Sequence, residues 1–218
     1  KTGIYVSGDV NNVTINNNYF ENLALQIAFS PFAATKLDSV FIHTNVMFNI
    51  GVSTDEWWGC GISFAGLTSD TVSNLHVVGN TMIANPGSRN TRIGLYLPTT
   101  GYATNINIRN NIMSGFRYAT IFAAGPDRTL DLLSIQNNIL WDNTSDTTKT
   151  YCTSDSAYFT NIKPPLRYVD ENNFYQDPMF IDDQFHLSSS SPALNNGIYI
   201  PWIDKDFEDN LIMNPPDI

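Results

Sequence analysis

Five short segments of the chain alternate apolar with variable residues, reach an asparagine, and then add two mostly apolar residues. They are Val13–Phe20, Val40–Met47, Leu75–Met82, Ile106–Met113 and Leu133–Leu140. Val13 and Ile15, Val40 and Ile42, Leu75 and Val77, Ile106 and Ile108, and Leu133 and Ile135 sit two positions apart. A period of two with β-branched residues dominating predicts a strand with one buried face, and helical spacing is absent. The second residue after each asparagine (Phe20, Met47, Met82, Met113, Leu140) gives a further inward column. Between these segments lie Leu25–Phe29, Gly61–Phe64, Arg92–Leu97 and Ala119–Ala123, again short and apolar. Each unit therefore predicts about three short strands joined by turns.

The fixed residues Asn18, Asn45, Asn80, Asn111 and Asn138 are 27, 35, 31 and 27 positions apart. A repeat of this length marks a solenoid whose units pair strand on strand, in parallel, along one continuous core. Asparagine suits a sharp corner because it tolerates a left-handed backbone. Its amide also carries both donor and acceptor, so stacked copies can bond one another in a ladder. Asn173 fits the series poorly, because Asp170 falls where an inward apolar residue belongs.

These residues resemble the right-handed parallel β-helix of the pectate-lyase-like superfamily over roughly residues 3 to 143. The resemblance implies that the strand before each asparagine is the second of three per rung. It also implies that sites are built on the loop after the third strand. A second likeness lies in Asp177-Pro-Met-Phe180, Phe185-His-Leu187 and Ser191-Pro-Ala-Leu194 with Gly197. This series is similar to the DPxF, FxL, SPA segment that closes many secreted bacterial β-helix proteins, with Leu194-Asn195 where they often carry Ile-Asp. Asp217-Ile218 would begin the Asp-Ile-Gly segment that often follows. The expectation is an all-β, right-handed parallel β-helix forming a single domain over 1–218. Its parts would be about five regular rungs with an Asn ladder (3–143), a long loop and irregular rung (144–176), and an irregular closing segment (177–218). Pro and Ser in the closing segment would end strand pairing and cover an exposed edge. Lys1–Val6 reads as a strand rather than a signal peptide, and the last residues stop in mid-pattern. The chain is expected to be a mature or trimmed piece of a longer, secreted or cell-surface protein.

The 218 residues suffice for one domain with its own core, and a 42% hydrophobic content excludes disorder. A net charge of −10 argues against binding nucleic acid or an anionic membrane through bulk charge. It also disfavours long-range attraction of an acidic sugar, which only a local arginine cluster could offset. The sequence holds no apolar run long enough to span a bilayer. Cys60 and Cys152 fall about three rungs apart, or roughly 14 Å at the usual strand spacing. A disulfide needs Cα atoms within about 7 Å, so two independent thiols are expected.

Candidate chemistry gathers in the loops after the third strands. Asp55, Glu56, Trp57 and Trp58 share one loop; the next rung brings Arg89 and Arg92, and the one after brings Arg117 and Tyr118. Ser63, Tyr96, Thr120 and Phe122 add first-strand faces on the same side. Flat aromatic faces suit the apolar side of a pyranose, which nominates Trp57, Trp58, Tyr96 and Tyr118 as substrate-binding. Arginine clamps carboxylate or sulfate, and two carboxyls can do acid–base work, which nominates Asp55, Glu56, Arg89, Arg92 and Arg117 as catalytic. The alternative is a loop that folds its tryptophans over the wall and pairs its acids with arginine. Glycoside hydrolysis needs carboxyls about 5–10 Å apart, and neighbours such as Asp55 and Glu56 tend to diverge on a strand.

No lysine lies between Lys36 and Lys149. The Lys-Arg pair and calcium cluster of the chondroitinase-B-like and alginate-lyase members are therefore not recognisable, nor are the Asp-rich and Gly-His-Gly motifs of polygalacturonase-like members. His43 and His76 read as exposed strand residues and His186 as structural. No Cys/His cluster has metal spacing. The run Asp204–Asp209 offers oxygens for Ca2+ but lacks EF-hand order, so no cofactor is expected. The function expected is polysaccharide binding along the flank, as part of a larger carbohydrate-active or surface protein. A polysaccharide lyase or glycoside hydrolase and a structural adhesin or tail-fibre-like spacer are the alternatives.

Overall fold

The computed structural model of the chain describes residues 2–29, 36–52, 59–64, 71–85, 92–99, 101–124, 129–143 and 166–218. The chain passes repeatedly through three sheets, every strand pairing in parallel with its counterpart one turn away. Sheet A holds β1 (Thr2–Val6), β4 (Leu25–Phe29), β7 (Gly59–Ser63), β10 (Arg92–Thr99) and β13 (Tyr118–Ala124). Sheet B holds β2 (Val10–Asn16), β5 (Lys36–His43), β8 (Thr71–Val78), β11 (Tyr102–Arg109), β14 (Thr129–Gln136) and β16 (Tyr168–Glu171). Sheet C holds β3 (Tyr19–Glu21), β6 (Val46–Ile50), β9 (Thr81–Ala84), β12 (Ile112–Ser114) and β15 (Ile139–Trp141). This is the all-β parallel β-helix that the period-two pattern predicts.

The register stacks like on like. Ile15, Ile42, Val77, Ile108 and Ile135 form one inward file, and Phe20, Met47, Met82, Met113 and Leu140 another. All ten are buried in one core. Each such side chain contributes about 1.5–3 kcal/mol by leaving water. Sheet A adds Phe29 and Phe64, whose rings stack at 4.7 Å.

The asparagines form the expected ladder. Asn45 donates from Nδ2 to Asn80 Oδ1 at 3.0 Å and to the carbonyls of Ile15 and His43 at 2.9 Å. Its backbone N–H also donates to Asn80 Oδ1, at 3.1 Å. Asn18, Asn80, Asn111 and Asn138 repeat this pattern toward the next turn. The series ends on Asn173, which accepts from Asn138 at 2.9 Å and donates to Ile135 O at 2.8 Å. Asn173 is thus a ladder residue despite its poor match. Asp170, opposite Ile135 in register, is exposed at the end of sheet B and accepts from Asn173 Nδ2 at 2.7 Å.

The expected left-handed corner sits one residue earlier than the ladder. Asn17, Thr44, Gly79, Asn110, Asn137 and Asn172 take φ between 52° and 62°, while the ladder residues do not have positive φ. The earlier residue turns the backbone, and the ladder residue is free to aim its amide along the axis. A second left-handed file, Asn12, Ser39, Asn74, Asn105 and Leu132, bends every regular strand of sheet B in mid-course. Leu132 is the costly member, since a γ-branched side chain has no polar group to offset αL strain.

The closing segment lies along the coil rather than only across its end. Phe174, Phe180, Leu187, Ala193 and Ile218 pack on Ile83, Ile112 and Ile139, the outward residues of sheet C. The chain then climbs past successive corners. Asn137 donates to Asn196 O at 2.7 Å, Asn110 exchanges two 2.8 Å bonds with Ile198, and Ile200 and Ile203 meet Val78. It returns so that Gly197 N–H donates to Pro216 O at 2.8 Å and Ile218 N–H to Ala193 O at 2.9 Å. A Cβ on Gly197 would lie 2.6 Å from Asp217 O, so only glycine admits this crossing. This cover explains why Val46, Ile112 and Ile139, just after ladder residues, are apolar although they face outward.

Two loops of the closing segment are tied by His186. Its Nδ1 lies 2.6 Å from Asp182 Oδ2 and its Nε2 2.9 Å from Glu208 Oε1. The bonds to these two carboxylates raise its pKa from 6.5 to about 8, and the same contact holds Asp182 below the usual aspartate range.

Two outcomes follow for stability. Asn80→Ala strands buried partners on both sides and costs about 2–4 kcal/mol in urea unfolding, whereas Asn18→Ala at the half-buried end costs about 1 kcal/mol. Equal costs would remove the ladder from its central role. The raised pKa of His186 gives stability that is complete below its ordinary value of 6.5 and lost as pH rises through about 8. His186→Asn abolishes that loss in thermal unfolding followed across this range; an unchanged profile in the variant refutes the assignment.

Candidate functional site

The nominated residues that the structure describes meet where β10 and β13 begin. Ile93 faces Tyr118 and Tyr96 faces Ile121 across the pair, and Arg117 N–H donates to Arg92 O at 2.9 Å. Cys60, Ile93, Tyr118 and Ile121 form an apolar cluster separate from the main core, with Leu25 and Tyr96 packed against it. The Arg117 guanidinium stands 5.0 Å from the Tyr118 ring centroid. A cation over a ring face gains about 0.5–2 kcal/mol, depending on its exposure. Tyr96 and Tyr118 thus share one cluster without standing opposite each other, and Tyr118 is buried. Asp55, Glu56, Trp57, Trp58 and Arg89, as well as Cys152, lie outside the described residues.

Arg92 has a different setting. It is 1% exposed, the largest fully buried side chain among the described residues. Its Nε and Nη2 donate to Gly51 O at 3.0 and 2.5 Å, and Nη1 donates to Asn85 O. A guanidinium can serve two carbonyls at once because its donors form a rigid fork. Gly51 takes φ +79°, and a Cβ there would meet Arg92 Cδ at 2.8 Å. Glycine at 51 and arginine at 92 are matched parts of one joint between turns. Phe122 likewise turns inward, opposite Leu97 and in the main core, and Thr120 is fully buried. The expectation that these two add a binding face is corrected, since the strand carries them to the interior, and Ser63, opposite Tyr96, is buried as well.

Cys60 is a free buried thiol whose pKa burial pushes up to about 12, so it stays a neutral, unreactive thiol. The run Asp204–Asp209 spends the Asp206 and Asp209 oxygens on its own loop and a Glu208 oxygen on His186. Asp206 accepts from the N–H groups of Glu208 and Asn210 at 2.9 and 2.8 Å, and Lys205 reaches Asp209 at 3.4 Å. Among the described residues no three His, Cys, Asp or Glu side chains gather as a metal site.

His43 and His76 are not the exposed strand residues expected. His76 stacks on Phe41 at 5.0 Å, and Trp202 presents an edge to Phe41, His43 and His76 at 5.2, 5.3 and 5.8 Å. Burial lowers both imidazole pKa values, and the Arg109 charge lowers His76 further, so both are neutral at pH 7. The missing signal was Trp202, which arrives from the closing segment.

A family model described as disaggregatase related matches residues 7–206. No curated protein and no solved structure gave a match.

Arg92→Lys keeps the charge but loses the fork, leaving a buried carbonyl without its donor. It lowers unfolding free energy by about 2–4 kcal/mol, whereas Arg117→Ala changes it by less than about 1 kcal/mol. A lysine variant that unfolds like the parent protein would overturn the structural role of Arg92.

Proposed function

The chain belongs to the disaggregatase-related family, and on that premise we propose that it is the carbohydrate-facing part of a larger secreted or cell-surface protein. It binds a polysaccharide along the sheet A flank of the coil. The observation that carries this reading is the meeting of Tyr96, Arg117 and Tyr118 on adjoining strands, with the guanidinium over a ring. The half-buried Tyr96 ring for a pyranose and the Arg117 cation for its carboxylate or sulfate then lie on neighbouring turns, with the buried Tyr118 ring against the guanidinium. In this reading Trp57, Trp58 and Arg89 also contact the polymer. The family's name speaks of undoing aggregates, which agrees with a matrix polymer as partner. The stacked sheets and Asn ladder also support kinship with the pectate-lyase-like β-helix proteins.

The same name favours a second reading, in which Asp55, Glu56, Arg89 or Arg117 takes part in cleaving the polymer. The two part on products. Affinity electrophoresis through a panel of uronate-bearing and sulfated polysaccharides is expected to retard the protein, with Trp57→Ala and Arg117→Ala each weakening retention about tenfold, or ~1.4 kcal/mol. New reducing ends or unsaturated uronates, lost in Glu56→Ala, would establish the catalytic reading. Retention by no member of the panel, with no product, leaves the spacer role instead.

A further inference from the structure

The closing segment leaves a cleft of about 1010 Å³ against the corner between sheets B and C. Its floor is aliphatic, with Val46, Val78, Ile198, Ile200 and Ile203 among its walls. Leu211 and Met213, which also line it, are 73% and 76% exposed, an unusual position for large apolar side chains. The charge around it is mainly negative: among the described lining residues His186 is the one cation, and it is already paired with Asp182 and Glu208. Residues 177–218 hold eight of the chain's 21 acidic residues but one of its 11 Lys and Arg, so they carry −7 of the net −10. Asp183, Asp206, Glu208 and Asp217 line the cleft, and no Lys or Arg does so among the described residues.

We propose that this cleft docks a segment of another protein that combines aliphatic side chains with lysine or arginine. The floor offers aliphatic groups a dry surface, and the carboxylate rim complements a cation beside them. The volume stands at the upper end of ordinary ligand sites, enough for several side chains. An acidic polysaccharide meets like charge here; Tyr19, Phe185 and Phe207 also line the cleft, so a neutral saccharide is the competitor that the test includes. A second copy of this chain docking through the same face would set −7 against −7 and is repelled. The site is distinct from the sheet A flank and does not depend on the sugar reading.

The test uses a fluorescent short peptide of alternating leucine and lysine, with three controls: the leucine–glutamate counterpart, oligolysine and a chito-oligosaccharide. Polarisation at physiological salt is expected to show saturable one-to-one binding of the leucine–lysine peptide alone. Leu211→Ser with Met213→Ser weakens it about tenfold, as does Asp183→Asn, while circular dichroism and melting stay unchanged because all three side chains are exposed. Unaltered affinity in these variants, equal binding of any control, or no saturable binding of the peptide overturns the proposal.

Discussion

Vertical identity is the constraint from which the rest of this molecule follows. Parallel pairing puts the same position of successive turns about 4.8 Å apart. A residue type that suits one turn must therefore suit contact with its own kind. Aliphatic and thioether side chains meet this condition in the core, and rings meet it by stacking, as in Phe29 and Phe64. Among polar groups the primary amide is nearly alone in meeting it, because it accepts on one side and donates on the other. A buried carboxylate or ammonium in the same file would face its own charge. The ladder is thus less a source of attraction than a way to pass polar groups through the interior without leaving any unpaired.

That constraint also dictates the corners. Turning the chain at the same height in every unit needs a left-handed residue at a fixed place, and the protein separates this duty from the ladder. Thr44 and Gly79 hold the corner as well as Asn17, because the turn itself requires only φ; Asn110 and Asn137 add side-chain bonds to the closing segment. The ladder position admits no such exchange. Loops outside the strands are under neither demand, which is why unit length varies from 27 to 35 residues while register persists. Between turns, Arg92 ties the carbonyls of Gly51 and Asn85, so one long side chain does for the loops what the ladder does for the corners.

The parts legible in the sequence are those with vertical repetition. The inward files and Asn18 to Asn138 announce themselves because each is printed five times. Asn173 was hidden because the final turn has no further turn to satisfy, and Asp170 can stand where an apolar residue would otherwise be required. Phe122 and Thr120 are hidden because β13 breaks alternation: Tyr118 and Ile121, three apart, both lie in the separate cluster while Ala119 and Phe122 lie in the main core. Arg92 resembled a site residue because a lone arginine has no periodic context; its partners are backbone carbonyls, which a sequence never displays. The path of the closing segment was invisible for a similar reason. Asn110 meets Ile198 across 88 residues, through a backbone contact specific to that pair. A retrospective signal does exist: outward Val46, Ile112 and Ile139 have no reason to be apolar unless something covers them.

The closing segment adds to the coil what repetition cannot, namely an asymmetric surface. A three-sided coil whose units are alike has similar flanks at every height. By running back along the corner between sheets B and C, residues 177–218 give that corner −7 of charge, while residues 1–176 carry −3 with ten of the 11 Lys and Arg. Sheet A lies across the coil from this corner. Screening at physiological salt limits each field to about 8 Å, less than the width of the coil, so the two surfaces act independently. On the proposed reading, Arg117 on the sheet A flank meets an anionic partner beyond the reach of the acidic corner.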